Sequence, residues 1–560
     1  MPEFSGAEAM FEVMVREGVR YVFGNPGTTE LPLMDQFAAR DEITYILALH
    51  EDSALGIAAG YAEATGKPAV VNLHTNPGLA HALGNLYNAY RAGTPLVVTA
   101  GQQDTRSMLD EPLLYADMIE LARQHTKWAW EVRSAAEIPR ALARAFTIAR
   151  TPPTGPVFVS LPVNLMEERA EMELPPATEI GSRVPAEQGK IEAAASLLAS
   201  ARNPAIIAGD GCARSGAIAE VAKLAETIGA RVHSEPLNSL LVFPTGHPLY
   251  AGALFPNAKQ TRTLLEDTDV ILLVGATNLA PLVYTGMRLI APGTRLIQID
   301  ADPREIGKNH PVEVAILGDP QSAVGQLIEA LGPLTGGAAA EMIKQRRAAI
   351  IQAISKARAK FAEQASAASD DAPMSPAYVA RVMREAAARD AVLVDESVTS
   401  TAFVRTLFEL NEPNSYFYAK GGSLGLGLPA AVGVKLAMPK RQVLCAVGDG
   451  SALYSIQALW TAARYKLAVV FVIFNNASYM ILKGGLAAMG GESIKRGVFT
   501  GMDLTEPEID FVRLAESMGV AARQVSRSSE LRGALDWALA EDRPVLLDVS
   551  ISRDVRSVLR

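Results

Sequence analysis

Two short stretches, Gly448-Asp449-Gly450-Ser451 and Asn475-Asn476, carry the most chemically specific pattern in the chain. Asp449 lies near the end of the apolar run QVLCAVGDG (Gln442–Gly450), and Asn476 ends AVVFVIFNN (Ala468–Asn476), 27 residues after Asp449. A single helical segment, SIQALWTAARYK, separates them. In open parallel sheets ligands bind at the carboxyl ends of the strands, so these two side chains should meet at one edge. Gly448 and Gly450 let backbone amides approach a diphosphate where the following helix begins. One carboxylate, one amide oxygen and one main-chain carbonyl, with two phosphate oxygens and a water, complete the octahedral oxygen shell that Mg²⁺ requires. Either fragment alone reads as an ordinary strand-end turn or loop; the pair at this spacing reads as a diphosphate and metal anchor. A nicotinamide-binding unit is disfavoured, because no G-x-G-x-x-G follows a strand.

The elements that must position this anchor repeat along the chain. Short β-branched runs such as AVVNL (Ala69–Leu73), PVFVSL (Pro156–Leu161), VILLVG (Val270–Gly275) and PVLLDVS (Pro544–Ser550) alternate with longer Ala-rich helical patterns. Near-continuous hydrophobicity in the runs implies strands buried on both faces, so the expected class is α/β with doubly wound parallel sheets. Polar, Pro-containing stretches at Met166–Gln188 and around Ser366–Pro376 divide the chain into three domains, 1–175, 190–335 and 375–560. No short-period repeat is evident, although each third has the same strand–helix rhythm.

With 560 residues, 49% hydrophobic and 20% charged, the chain is long enough for about three domains with substantial cores. Disorder and disulfide-scaffold classes are excluded. The balance of 52 basic against 61 acidic residues, a formal charge of −9, offers no phosphate-neutralising face, so nucleic acid is not an expected partner. Cys212 and Cys445, the only two cysteines, are too few for a disulfide framework or metal cluster and read as inert. The N-terminus MPEFSGAEAMFEVMVREGVR reads as an amphipathic helix, not a secretion signal. No apolar run reaches the roughly 18–20 residues of a membrane helix, so a soluble cytoplasmic protein is expected.

Around the anchor, FGNPGTTELP, YILALHEDSALGIAAGYAEATGKPA, NLHTNPG, PLVVTAGQQ, QALWTAA and VIFNNASY resemble the thiamine-diphosphate enzymes of the pyruvate decarboxylase and acetolactate synthase superfamily. Within it the likeness is to the benzoylformate decarboxylases. The resemblance spans essentially the whole chain and implies pyrimidine-binding, central and diphosphate-binding domains in that order. It implies thiamine diphosphate and Mg²⁺ as cofactors, with Asp449, Asn476 and the main-chain oxygen of Ser478 as metal ligands. Glu51 matches the glutamate that hydrogen-bonds the cofactor's aminopyrimidine and drives formation of its basic imino tautomer. Leu424 matches the apolar wedge between the cofactor rings, and Gly422 the carbonyl that meets the pyrimidine amino group. Thr399, Ser451 and Tyr454 are the expected polar contacts to diphosphate, with Gly448, Gly450 and Tyr479 completing the cofactor set. His74 matches a proton-transferring histidine, and an imidazole titrating near neutrality suits that work. Thr28 stands where the decarboxylase has a serine that binds the substrate carboxylate.

The sequence also departs from that pattern. Leu282 aligns with a second catalytic histidine, and a leucine cannot move protons. In the substrate wall a small residue becomes Ile481 and an aromatic becomes Gly485, while Tyr418 could keep one aromatic surface, so the pocket is not expected to be shaped for benzoylformate. The expected reaction is non-oxidative decarboxylation of a 2-oxo acid to an aldehyde. The alternative is a carboligase of the acetolactate synthase type, in which a second carbonyl captures the decarboxylated unit. The resemblance further implies a homo-oligomer, a dimer of dimers, with each site shared between two subunits. His81, His125, His233, His247 and His310 read as structural, and His50 should point away from Glu51 if the segment is helical.

Overall fold

The computed structural model describes residues 2–367, 370 and 373–554, so four positions of the expected connector Ser366–Pro376 lie outside the described residues. The described residues form three six-stranded parallel sheets with covering helices, the α/β class expected, and a small antiparallel pair of Glu3–Ser5 with Arg169–Glu171. The first sheet runs, in spatial order, Thr44–Leu47, Tyr21–Gly24, Ala69–Leu73, Leu96–Gln102, Val157–Pro162 and Ala129–Glu131. The third has the corresponding order from its second position onward, Val392–Glu396, Val443–Gly448, Val469–Asn475, Val545–Ser550 and Ala521–Val525. The shared rhythm of the first and last thirds is therefore a shared topology.

The central sheet differs. Numbered along the chain from Pro204–Ala208 to Val314–Leu317, its strands lie in the order 3-2-1-4-5-6, the arrangement of dinucleotide-binding folds. Its burial shows why the strands read as continuous apolar runs: Val270, Leu272 and Val274 enter one core while Ile271 and Leu273 enter another on the opposite face. At the switch point between strands 1 and 4 the amides are already satisfied. Glu235 accepts hydrogen bonds from the backbone of Asp210 at 3.1 Å, Thr277 at 2.8 Å and Asn278 at 2.7 Å. Cys212 and Cys445 are fully buried free thiols, and burial pushes both well above the ordinary thiol range.

Two compact units result, one made of Met1–Ile180, Ala368–Ala402 and Ala419–Arg560, the other of Gly181–Ala367 with Phe403–Tyr418. In the second, Thr245 donates its backbone N–H to Leu410 at 2.8 Å, and Tyr418 to Ser239 at 3.0 Å. The long helix Ala338–Gln364 buries no residue fully. It is held there by Arg346, which reaches the carbonyls of Ala201 and Gly229, and by Arg358, which reaches those of Thr245 and Tyr250. Among the described residues no helix is long and apolar enough to cross a membrane.

Within the first unit the helices Glu51–Thr65 and Gly427–Ala437 cross backbone to backbone. A Cβ on Gly433 would fall inside contact distance of the Ile57 carbonyl oxygen, and one on Gly60 would strike the backbone of Ala430. Small residues make this crossing possible, and no flexible side chain stands between the helices to give way. The substitution Gly433→Ala should therefore destabilise the protein by about 1–3 kcal/mol, read as a fall in urea midpoint at unchanged slope; an unshifted midpoint would contradict the close crossing.

Candidate active site

Glu51 opens a 15-residue helix whose start follows from its neighbours. His50 is the N-cap, its Nδ1 accepting the backbone N–H of Asp52 at 3.2 Å, and Glu51 and Asp52 place two acidic groups against the helix dipole. Gly66 ends the helix in the left-handed conformation. The Glu51 side chain is only 13% exposed, and its Oε2 lies 3.1 Å from Nδ1 of His81. Contrary to the expectation that His50 and His81 stand apart from the chemistry, their rings stack at 5.3 Å beside this carboxylate. The three residues bring potential ligand atoms within 4.8 Å of one another. His50, however, has already used Nδ1 on the helix cap, so the group is organised as hydrogen bonds and not as a metal cage.

His74 follows the strand Ala69–Leu73 and caps the helix Thr75–His81. Its Nδ1 lies 2.8 Å from Oε2 of Glu30 and 3.2 Å from the Thr29 hydroxyl. Glu30 is buried and also accepts the backbone N–H groups of Gly27 and Gly101, each at 2.9 Å. A Cβ on Gly27 would overlap the imidazole ring, so glycine there lets the ring lie flat against the backbone. The hydrogen bond that His74 donates to the Glu30 carboxylate is the main reason that it keeps its proton to higher pH than an ordinary imidazole; partial burial opposes it. Glu30→Gln should accordingly let the His74 proton go at lower pH, moving the alkaline limb of the turnover profile downward, as measured by histidine NMR titration alongside initial rates. An unmoved limb would separate Glu30 from the function of His74. Thr28 is exposed at the start of the Thr28–Glu30 turn, while its neighbour Thr29 is buried.

The segment that carries Leu424 is clamped from both sides. Asn85 donates to both the carboxylate of Asp52 at 2.9 Å and the Gly425 carbonyl at 3.2 Å. Asn88 exchanges hydrogen bonds with the backbone of Ser423, at 2.9 and 3.1 Å. From the other side Glu396 accepts the amides of Gly425 and Gly427 at 2.8 Å and that of Leu426 at 3.2 Å. Burial raises Asp52 to about 6 and Glu396 to about 7, in each case against the pull of backbone donors. Leu424 is half-buried and Gly422 is exposed with φ of 80°. Sequence reasoning missed Glu30, Asp52, Asn85, Asn88, Glu396 and the Glu51–His81 contact.

Asp449 begins a single helical turn after the strand Val443–Gly448, and Asn476 follows the strand Val469–Asn475; the two strands are adjacent and parallel. Asp449 accepts the amide of Gly450 at 2.8 Å and that of Ser478 at 3.2 Å, which brings the three expected ligands to one strand edge. Burial raises Asp449 to about 6. Ser451 is buried, Thr399 and Tyr479 are half-buried and Tyr454 is 56% exposed. Non-glycine residues with positive φ sit beside three of these expected positions: Thr75 at 51° after His74, Val398 at 52° before Thr399, and Ala477 at 48° between Asn476 and Ser478. Such backbone is costly and is held only where its surroundings over-determine it. Ile481 is half exposed on the helix Met480–Met489, with Gly485 exposed on the same helix. Leu282 and Tyr418 belong to the second unit, where the Leu282 side chain is 79% exposed and its N–H donates to Pro256 at 2.8 Å.

Known proteins share this architecture along its whole length. Residues 4–124 match the N-terminal TPP binding domain of thiamine pyrophosphate enzymes, 191–327 their central domain and 397–549 their C-terminal TPP binding domain. Benzoylformate decarboxylase of Pseudomonas aeruginosa is 36% identical over 547 residues, 97% of this chain and 98% of that protein. The chain belongs to the thiamine pyrophosphate enzyme family. A probable acetolactate synthase large subunit of Methanocaldococcus jannaschii is 30% identical over 98% of this chain and 92% of its own length. Among solved structures, the thiamine diphosphate-dependent 4-hydroxybenzoylformate decarboxylase of Rhodococcus jostii RHA1 superposes with a TM-score of 0.85 at 33% identity, covering 99% of this chain and 100% of that one.

As a thiamine pyrophosphate enzyme the chain takes thiamine diphosphate, and its residues fit that group. The Oδ1 of Asn476 is buried without a hydrogen-bond partner, an expensive state for an amide oxygen unless something external completes it. Beside it stands the buried Asp449 carboxylate, and the two together form a hard oxygen donor set suited to a diphosphate-bound cation.

Proposed function

We propose that this enzyme decarboxylates a 2-oxo acid to an aldehyde without net oxidation, using thiamine diphosphate and Mg²⁺. The observation that carries the reading is the dyad of His74 and the buried Glu30. Glu30 fixes Nδ1 and leaves Nε2 as the nitrogen that delivers a proton, which is what release of an aldehyde demands. Asp449, Asn476 and the Ser478 carbonyl would hold the metal, with Ser451 and Thr399 at the diphosphate. Bound thiamine diphosphate supplies the electron sink for the pair left behind as carbon dioxide departs. Glu51 would hold and return a proton at the aminopyrimidine ring nitrogen, Leu424 would pack against the bound cofactor, and the Thr28 hydroxyl would orient the substrate carboxylate.

A carboligase reading has one residue in its favour. By sequence match Leu282 occupies the position of a second proton-transferring histidine of the decarboxylases, and it carries no ionisable group. Against a flavin-bearing synthase stands the central switch point, whose amides already face the Glu235 carboxylate. Incubating the enzyme with thiamine diphosphate, Mg²⁺ and a panel of aliphatic and aromatic 2-oxo acids, with and without added aldehyde, separates the two. Stoichiometric carbon dioxide and free aldehyde support the decarboxylase; 2-hydroxy ketone or acetohydroxy acid as main product overturns it in favour of the carboligase.

The enzyme is further proposed to work as a homo-oligomer, a dimer of dimers, with Glu51 of one subunit serving cofactor held by the Asp449 of another. Mixing inactive Glu51→Ala and Asp449→Ala proteins should then restore part of the activity through mixed dimers. If exchange of subunits is demonstrated and no activity returns, each chain completes its own site.

A further inference from the structure

We propose that His81 is a positioning residue for Glu51, holding one carboxylate oxygen so that the other is presented to the cofactor ring nitrogen. The inference rests on the reading of Glu51 given above. The hydrogen bond that the structure gives the Glu51 carboxylate comes from His81, with Nδ1 of the imidazole 3.1 Å from Oε2. A carboxylate oxygen only accepts, so the imidazole must carry its proton on Nδ1; the contact selects that tautomer or the doubly protonated ring. The two groups come from different elements. Glu51 is the first residue of its helix and His81 the last of the helix Thr75–His81, so the bond ties the end of one to the start of the other.

The third member of the group keeps the imidazole in place. His50 stacks on His81 with the rings 24° apart, and His50 itself is fixed because its Nδ1 accepts the Asp52 amide that starts the helix. The outcome is a carboxylate with one oxygen spent on the protein and one, Oε1, left for an external donor. Without His81 both oxygens are free to rotate about the terminal torsion, which is broad and roughly two-fold. A catalytic hydrogen bond then has to be found anew at each turnover, and misplacement of that order costs about 10- to 100-fold in rate.

The test has a cofactor-free arm and a loaded arm. The chain has seven histidines, so selectively ¹⁵N-labelled histidine gives a readable spectrum in which His81 is assigned by its disappearance in His81→Asn. In cofactor-free enzyme the His81 signal should report a proton on Nδ1, and that signature should be lost in Glu51→Ala. In loaded enzyme, exchange of the thiazolium C2 proton of bound thiamine diphosphate with solvent should slow about 10- to 100-fold in His81→Leu at unchanged cofactor affinity. His81→Asn, whose amide can donate from nearly the position of Nδ1, should recover most of that loss. In a Glu51→Ala background, His81→Leu should add nothing further. A neutral His81 carrying its proton on Nε2, or His81→Leu exchanging as fast as wild type while Glu51→Ala is slow, overturns the positioning role alone. Wild-type exchange in Glu51→Ala overturns the reading of Glu51 itself.

Discussion

Glu51→Gln will lower turnover by about 10²- to 10⁴-fold, the range that a positioned acid–base group contributes, while the protein stays folded. The carboxyl side chain is 13% exposed and lies at the first turn of a helix whose cap, His50, is untouched by the change. Losing a charge there costs about 0.3–1 kcal/mol of helix-dipole interaction, far too little to unfold a domain. The amide keeps the size of the carboxyl but cannot carry a proton to and fro at a ring nitrogen. The signature is therefore a fall in turnover and in exchange of the cofactor C2 proton, with thermal unfolding shifted little and thiamine diphosphate still retained. A variant with more than a tenth of wild-type turnover would remove Glu51 from the chemistry.

Asp449→Ala will abolish retention of the cofactor and its metal, weakening binding by at least about 100-fold, and activity will fall to background at ordinary cofactor concentrations. This substitution also strips the acceptor for the Gly450 and Ser478 amides, so some folding stability goes with it. Asn476→Ala supplies the control. The Oδ1 of Asn476 makes no hydrogen bond within the protein, so its removal takes nothing from the fold through that atom while deleting one proposed metal ligand. Isothermal titration with Mg²⁺ and thiamine diphosphate, beside a thermal melt of the cofactor-free variants, distinguishes the two effects. Unchanged cofactor binding in Asn476→Ala would mean that the metal sits elsewhere.

The residues legible in the sequence are those whose placement is written in a contiguous motif. GDGS and NN stand at strand ends because apolar runs of β-branched residues stop there, and Glu51 and His74 lie in segments that resemble known enzymes at adjacent positions. What was not legible depends on contacts across long separations. Asn85 and Gly425 are 340 residues apart, and nothing in GNLYNAY announces that its two asparagines will hold the backbone around Leu424. Glu396 reads as the end of a buried strand, and only its three amide partners reveal what it holds. His81 reads as structural from the sequence, because nothing in its own segment says that the helix starting at Glu51 lies beside it. The central sheet's 3-2-1-4-5-6 order was equally hidden, since strand order is a property of crossovers and leaves no trace in the period of a strand.

The glycine-lined crossing of the helices Glu51–Thr65 and Gly427–Ala437 sets a tolerance for the chemistry. Side chains between helices can change rotamer and absorb small displacements, whereas two backbones in direct contact transmit them. One helix begins at Glu51 and the other follows Leu424 by three residues, so the spacing between these two positions is set by main chain alone. A methyl group added at Gly433 or Gly60 would therefore displace the segments that carry Glu51 and Leu424 together.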